Sequence, residues 1–148
     1  MASGEKWVGY GIRSFSATIC ELVDNAMNSL TMTVYAISDT SIVRSIERAL
    51  ERGVSVEIYI YYTDSSSSNS SIKAILEMEE HCCNLKIHKI VDKLLHAKVT
   101  VVDGEKVMCG SANATFAGMV TNYELGVLIN NQEIARKILT IMRRLVTE

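Results

Sequence analysis

The chain has 148 residues and a formal net charge of −2, and 48% of its residues are hydrophobic and 22% are charged. This composition excludes a disordered or fibrous protein and is typical of a globular one. At this length we expect one domain over residues 1–148, in which residues 1–6 are flexible or vector-derived. Because the net charge gives no general attraction to nucleic acid or to anionic membranes, any polyanion must be held by a local patch.

The N-terminal sequence MASGEKWVGYG has no basic segment followed by an apolar one, and nowhere do 18 apolar residues follow one another. We therefore expect a cytoplasmic protein without stable membrane insertion. A longer parent protein from which a targeting segment has been removed is an alternative that the sequence leaves open.

Helical and extended patterns alternate in the first half of the chain. Apolar residues recur at helical spacing after Ser14 and Ser16, either of which can cap the helix, and again between Asp39 and Gly53. The predicted elements are a helix over 16–28, a strand over 30–37, a helix that ends at Gly53 and a strand over 54–62. The order strand, helix, strand predicts a right-handed crossover and a largely parallel sheet.

The second half begins with a polar segment, TDSSSSNSS, which we expect to be a flexible, solvated loop rather than a wall of a binding crevice. Asp103-Gly104 between two apolar runs predicts a hairpin. The further predicted elements are a helix over 72–81, strands over 85–90, 94–102, 106–109 and 123–129, and a helix over 132–146 whose apolar face is Ile134, Ile138, Ile141, Met142 and Leu145.

A constellation with chemical meaning follows: His96, Lys98 and Asp103 in the spacing H-x-K-x4-D, and then GSAN over 110–113. Alternation along the predicted strand puts His96 and Lys98 on one face, roughly 6.5 Å apart. A neutral imidazole can attack phosphorus while an ammonium holds the non-bridging oxygens, and the hydroxyl and amide of GSAN would add hydrogen bonds. Since the nearby carboxylates have no second histidine beside them, we expect neither a metal nor another cofactor.

These residues resemble the signature of the phospholipase D superfamily, H-x-K-x4-D-x6-G-S-x-N, and every fixed position is met. Glu124, eleven residues beyond Asn113, also falls where members carry a glutamate that orients the catalytic histidine. The resemblance implies an α/β fold with a mixed, largely parallel sheet flanked by helices, that is, an α/β/α sandwich. It further implies a metal-independent phosphodiesterase that forms a covalent phosphohistidine intermediate.

The resemblance also implies a role for each matching residue. His96 would be the catalytic nucleophile, and Glu124 would fix the tautomer of its imidazole. Lys98 would act with them and, together with Ser111 and Asn113, would bind the substrate phosphate.

Asp103 and Gly110 would support the local structure rather than touch substrate. The superfamily's active sites need two histidines, one to attack and one to protonate the leaving oxygen, but this chain has a single motif. His81 and His88 lack the motif context and are expected at the surface or at a helix end. A second His96 is therefore expected from the partner chain of a C2 homodimer, as in the small single-motif nucleases and the mitochondrial-type members that the chain resembles.

The favoured function is an endonuclease, because the chain is small, carries a single motif and lacks a membrane-binding segment. A phospholipase D-type lipid hydrolase is the alternative, although an interfacial enzyme usually has an apolar or basic amphipathic surface element, and none is recognised in the sequence. Two further alternatives are the catalytic module of a larger defence or repair protein and an inactive dimerisation module.

Two sets of residues near the motif are candidates for contact with a polyanion. Lys89 and Lys93, just upstream of His96, are the best candidates for a basic rim. Tyr61 and Tyr62 could stack on a base, although packing at the end of a strand is the default expectation for such a pair.

Overall fold

Seven strands form one mixed sheet in the computed structural model, which describes residues 1–147 except for the side chain of Ser67. Along the chain the strands are β1 (Ala2–Ser3), β2 (Ser29–Val34), β3 (Ser55–Tyr61), β4 (Leu85–Ile90), β5 (Val99–Val102), β6 (Lys106–Gly110) and β7 (Glu124–Asn130). The helices are α1 (Phe15–Asp24), α2 (Thr40–Glu51), α3 (Ser70–His81) and α4 (Gln132–Arg143). In space the strands follow the order β1-β7-β6-β5-β2-β3-β4.

The direction of the strands divides the sheet into two halves. β2, β3 and β4 are parallel and are connected through α2 and α3, as the strand-helix-strand pattern predicts. β5, β6, β7 and β1 each pair antiparallel with their neighbours. The α/β class and the helix-flanked mixed sheet are therefore confirmed, but the prediction of a largely parallel sheet is wrong, because the tight hairpin between β5 and β6 reverses the chain.

Side-chain caps fix the starts of the first two helices where the sequence predicts them. Ser14 caps α1 by accepting a hydrogen bond from Ala17 N at 3.2 Å. Asp39 caps α2 by accepting from Ser41 N at 2.9 Å. Gly53, with φ +84°, lies just beyond α2 in the left-handed region that glycine adopts without strain.

Helices cover both faces of the sheet. α1, α2 and α3 pack on one face over a core that includes Phe15, Ile46 and Ile58. α4 covers the other face above a smaller cluster that includes Tyr59 and Met142. Because β3 lies between β2 and β4, its residues Ile58, Tyr59 and Ile60 are buried alternately under the two helical layers, which explains this apolar run.

α4 is shorter than predicted and buries only part of its predicted apolar face. Met142 is buried and Ile138 packs against the cluster, but Ile134, Ile141 and Leu145 are exposed. Within residues 1–147, no helix is both long enough and apolar enough to cross a membrane.

The segment before β5 is not a strand, contrary to the prediction of a strand over 94–102. The ladder between β2 and β5 ends at the pair Met32 and Thr100. At the next position the hydroxyl of Thr33 takes the place of a backbone partner: it donates to Ala97 O at 2.9 Å and accepts from Val99 N at 2.9 Å. The chain therefore leaves the sheet before Val99, and strand alternation does not set the relation of the residues that precede it.

The serine-rich segment has more local structure than a flexible loop. Residues Asp64–Ser68 form a 3₁₀ turn, and α3 begins at Ser70 rather than at Ile72. Asn69 caps α3 by accepting from Ser71 N at 2.9 Å. The prediction was wrong because serine and asparagine side chains bond to nearby backbone groups and so stabilise turns and helix starts.

The first residues of the chain, within the segment 1–6 that was expected to be flexible or vector-derived, include the short strand β1. Ala2 and Ser3 are buried and pair with Leu125 and Glu124 of β7. Ser3 Oγ also donates to Gly118 O at 2.8 Å, and this carbonyl belongs to a short π-helical turn over Ala117–Thr121 that the sequence pattern does not predict. A segment of two residues shows no periodicity, so the sequence pattern does not predict β1.

The predicted hairpin turn is present. Asp103 and Gly104 have φ values of +53° and +67°, and Glu105 N donates to Val102 O at 3.1 Å. Positive φ at both central residues is the type I′ geometry, which Asp-Gly adopts readily.

The Asp103 carboxylate joins this hairpin to the connection between α1 and β2. It accepts hydrogen bonds from the backbone N–H groups of Met27 at 3.0 Å, Asn28 at 2.7 Å and Ser29 at 2.9 Å. Burial opposes its charge, but these bonds and the nearby Lys106 outweigh burial and hold the pKa of Asp103 below its ordinary value of 3.8.

We expect the Asp103→Ala variant to lose about 2 kcal/mol of unfolding free energy at pH 7, because three backbone donors lose a charged acceptor. The pKa of this carboxyl is lower in the folded chain than in the unfolded one. Its charge therefore stabilises the fold above pH 3.8, and the contribution is lost as the pH falls through the folded pKa. Denaturant unfolding between pH 7 and pH 2 measures both effects.

The matched control for this prediction is Glu105→Ala, which removes a carboxylate from the same turn. Unfolding free energies that are equal for the two variants would contradict the bridging role of Asp103.

Candidate active site

Most of the predicted site residues lie at one edge of the sheet. β2, β3 and β6 end at this edge, and β5 and β7 begin there. The predicted residues that come together are His96 and Lys98 before β5, Ser111 and Asn113 after β6, and Glu124 at the start of β7. Asp103 lies at the other end of β5, about 16 Å from Lys98 at roughly 3.3 Å per residue, and so is separate from them.

The imidazole of His96 is exposed and lies against Tyr35, a residue that the sequence analysis did not identify. The two ring centres are 5.1 Å apart, with an edge-to-face angle of 69°. Lys98 Nζ donates to His96 O at 2.8 Å and lies 5.6 Å from the centre of the Tyr35 ring. Tyr35 therefore contacts both basic residues. Its only signal in the sequence was its position near the end of the predicted strand over 30–37.

Lys98 is partly withdrawn from water. Burial of the ammonium lowers the pKa of Lys98, and the negative charge of Glu124 opposes this shift without cancelling it. A partly desolvated cation at the mouth of a site favours an anionic ligand, which would stabilise its charge.

Glu124, the first residue of β7, is hydrogen-bonded to side chains of the connection between β6 and β7. Its carboxylate accepts from Ser111 Oγ and, at 3.3 Å, from Asn122 Nδ2. Ser111 is itself fixed by Leu125, whose N–H donates to Ser111 Oγ at 3.2 Å. Among residues 1–147, no hydrogen bond or ion pair joins Glu124 to His96 of the same chain, so the orienting role of Glu124 stays a prediction.

Asn113 has unused hydrogen-bonding capacity. Its Oδ1 atom is buried and has no hydrogen-bond partner among the described residues. A cavity of about 30 Å³ is lined by Asn113 together with Lys98 and Tyr35. A buried, unsatisfied amide costs free energy that a ligand or a bound water can recover.

Gly110 allows β6 and β7 to approach the ring of Phe15. It lies opposite Gly126 in the strand pair. A Cβ atom on Gly110 would lie 2.6 Å from Leu125 O and 2.8 Å from Phe15 Cζ, closer than such atoms can approach. The position directly before Ser111 therefore has no room for a side chain.

No three or more His, Cys, Asp or Glu side chains within residues 1–147 come together as a metal site would require. The chemistry available from the assembled residues is that of an imidazole, an ammonium, a hydroxyl, an amide and a carboxylate.

A protein-family model described as the cardiolipin synthase, PLD-like domain matches residues 19–146. The chain belongs to the phospholipase D superfamily. It is 32% identical over 121 residues to a protein of Rickettsia conorii named phospholipase D, and 31% identical over 130 residues to the DISARM protein DrmC of Bacillus paralicheniformis. These matches cover 82% and 83% of this chain.

The chain spans about half the length of these curated relatives, 58% of the first and 52% of the second. Among solved structures it is similar to the phospholipase D family member Nuc from Salmonella typhimurium, with a TM-score of 0.77 and 26% identity over 86% of this chain and 84% of that one. The sandwich fold is thus that of the superfamily, and the superfamily is one of phosphodiesterases.

Outside the site, His88, which was expected at the surface, is largely shielded from solvent. The side chain of His88 is only 11% exposed and its Nε2 lies 2.7 Å from Glu57 Oε1. The ring stacks on Tyr59 at 4.5 Å, and Tyr59 Oη donates to the same carboxylate oxygen at 2.8 Å. The prediction failed because β3 and β4 pair, which places His88 next to Tyr59 beneath α4. His81 is exposed at the end of α3, as predicted.

The rim candidates have different surroundings. Lys89 lies over the ring of Tyr62, 4.8 Å from its centre. Lys93 is exposed in the segment that leads to His96. The ring of Tyr61 stacks on the ring of Tyr35.

The backbone that carries Asn113 is packed tightly against Gly118 of the π-helical turn. A Cβ atom on Gly118 would lie 2.9 Å from Asn113 N and still closer to Asn113 O. We therefore expect Gly118→Ala to lower the unfolding free energy by about 1–3 kcal/mol and to displace the Asn113 loop. Thermal unfolding and the NMR shifts of Asn113 measure these changes.

The exposed Val120 in the same turn provides the control variant Val120→Ala. If Gly118→Ala leaves the Asn113 resonances as unperturbed as this control does, the turn does not position the loop.

Proposed function

We propose that this chain is a metal-independent phosphodiesterase that cleaves nucleic acid through a phosphohistidine on His96, in an active site completed by a second copy of the chain. The observation that supports the proposal is the convergence of an exposed imidazole, the Lys98 ammonium and the Ser111-Asn113 segment at one edge of the sheet.

In the proposed reaction, neutral His96 attacks phosphorus while Lys98, Ser111 and Asn113 hold the non-bridging oxygens. A nitrogen–phosphorus bond forms and the bond to the leaving oxygen breaks. That oxygen takes a proton from the imidazolium of His96 in the second copy. The second imidazole, now neutral, removes a proton from water, which attacks phosphorus and releases His96 with the phosphate product.

The surface next to the site suits a second copy. Leu125 and Val127 of β7 are 59% and 53% exposed and, two residues apart on the strand, lie on one face of it. Large exposed apolar side chains close to one another mark interaction surfaces. Because β7 begins at Glu124, a copy that docks here would approach the site, and in the dimer Glu124 would orient His96 of the second copy.

A specific observation favours a second candidate, a phospholipase D-type lipid hydrolase. The segment after β1 exposes Trp7, Tyr10 and Ile12 between the basic residues Lys6 and Arg13. Aromatic and basic side chains of this kind bind at membrane interfaces. The sequence analysis recognised no such element, because the spacing of these residues is not that of a helix.

We expect cleavage of labelled single-stranded or duplex DNA or RNA to proceed in excess EDTA. His96→Ala and Lys98→Ala should reduce it at least about a thousandfold, because each removes a group that acts on the transferred phosphoryl. The matched controls are His81→Ala and Lys86→Ala, which remove an exposed histidine and an exposed lysine away from the site. A fluorogenic phosphatidyl substrate is measured beside the nucleic acids.

Cleavage that requires a divalent metal, or that persists in His96→Ala, would disprove the mechanism. Turnover of the phosphatidyl substrate alone would replace the nuclease by the lipid hydrolase.

The shared site gives a separate prediction for mixed dimers. When wild-type chain is refolded with an equal amount of His96→Ala chain, activity per site should fall to about one quarter of the all-wild-type value, because only dimers with two intact histidines react. A fall to about one half would mean that each chain acts alone. Sedimentation velocity on the same mixtures checks that dimers have formed.

A further inference from the structure

A second pocket opens beside His96, at the ends of β2 and β3. It has a volume of about 200 Å³. One side is formed by Tyr35 and Tyr61, and the other by Thr63, Ser65 and Ser66 of the serine-rich turn. None of these residues belongs to the superfamily signature.

The aromatic side of the pocket follows from the register of the parallel strands. Val34 of β2 pairs with Ile60 of β3, so the next residues, Tyr35 and Tyr61, lie side by side. Their rings are stacked, with centres 5.9 Å apart and an angle of 16° between planes. Tyr35 also contacts His96, so the aromatic surface is continuous with the proposed nucleophile.

The opposite side is a set of hydroxyl groups held by the 3₁₀ turn. Thr63 Oγ1 lies 2.8 Å from Ser65 Oγ and 3.3 Å from Ser66 Oγ, and Thr63 N donates to Ser66 Oγ at 3.0 Å. Each hydroxyl can both donate and accept, so the set can match the polar edge of a ligand.

We propose that this pocket is a nucleoside subsite: a base stacks on the Tyr35–Tyr61 pair and its polar edge bonds to the hydroxyls of the turn, while the adjoining phosphate lies at His96 and Lys98. The inference rests on the proposed function and names its substrate class. An acyl chain would gain nothing from the hydroxyl groups. A base must leave a duplex stack to enter the pocket, so single-stranded nucleic acid is the favoured substrate.

The test compares the binding of three small phosphates by NMR titration: inorganic phosphate, glycerol 3-phosphate and thymidine 5′-monophosphate. Stacking of one base on an aromatic side chain should make the nucleotide bind roughly tenfold more tightly than inorganic phosphate. Tyr61→Leu should abolish most of this preference and leave the affinity for inorganic phosphate unchanged. Tyr61→Phe, which keeps the ring, should retain it.

Tyr61 is chosen because Tyr35, not Tyr61, contacts His96. Equal affinities for the nucleotide and for inorganic phosphate would overturn the subsite, and so would an equal loss of both in Tyr61→Leu. Tighter binding of glycerol 3-phosphate than of the nucleotide would assign the pocket to a lipid headgroup instead. Heteronuclear spectra of each variant establish that the fold is intact.

The same titrations, set beside cleavage assays on the wild-type protein, separate this inference from the proposed function. A nucleotide preference without any cleavage of nucleic acid would support the subsite and refute the nuclease. Cleavage of nucleic acid without a nucleotide preference would support the nuclease and refute the subsite.

Discussion

The pairing of β2 with β5 is the constraint on which the remaining structure depends, because it joins the parallel half of the sheet to the antiparallel half. Only three residue pairs form this seam. A side chain fastens each end of it: Asp103 binds the backbone at the start of β2, and Thr33 bridges Ala97 and Val99 at the other end. Because the hydroxyl of Thr33 ends the ladder, the residues before Val99 lie outside the sheet, and there His96 and Lys98 contact Tyr35.

The local parts of this arrangement could be predicted from the sequence. Helical spacing and capping residues located α1 and α2, and Asp103-Gly104 located the hairpin, because each signal acts over a few residues. The spacing of the motif likewise identified residues that the hairpin and β7 bring to one edge.

The remaining features depend on pairing between distant segments. Residues 94–98 run directly into the apolar sequence of β5 and so resemble part of the strand, and only the hydroxyl of Thr33, 66 residues from Val99, shows where the ladder ends. Tyr35 and His88 acquire their surroundings from strand register, which a single sequence does not contain. The hydrogen bond of Glu124 with Ser111, rather than with His96, likewise depends on the pairing of β6 with β7.

Membership of the superfamily and the groups proposed to react both concern the same part of a substrate, the phosphate. An imidazole and an ammonium interact alike with the phosphate of a nucleic acid and that of a lipid. Selectivity must therefore come from the surfaces around them. Two such surfaces flank the site, the tyrosine and hydroxyl pocket beside β3 and the aromatic segment after β1, and their chemistries suit different substrates.

The chain's single tryptophan, Trp7, lies in that aromatic segment and contacts Tyr123, with ring centres 5.1 Å apart. Tyr123 directly precedes Glu124, so the indole is coupled by one contact to the start of β7. Because Trp7 is half-exposed, any event that covers this corner of the protein will change the polarity around it. The protein thus carries a built-in fluorophore, whose emission can follow assembly or membrane contact without a label.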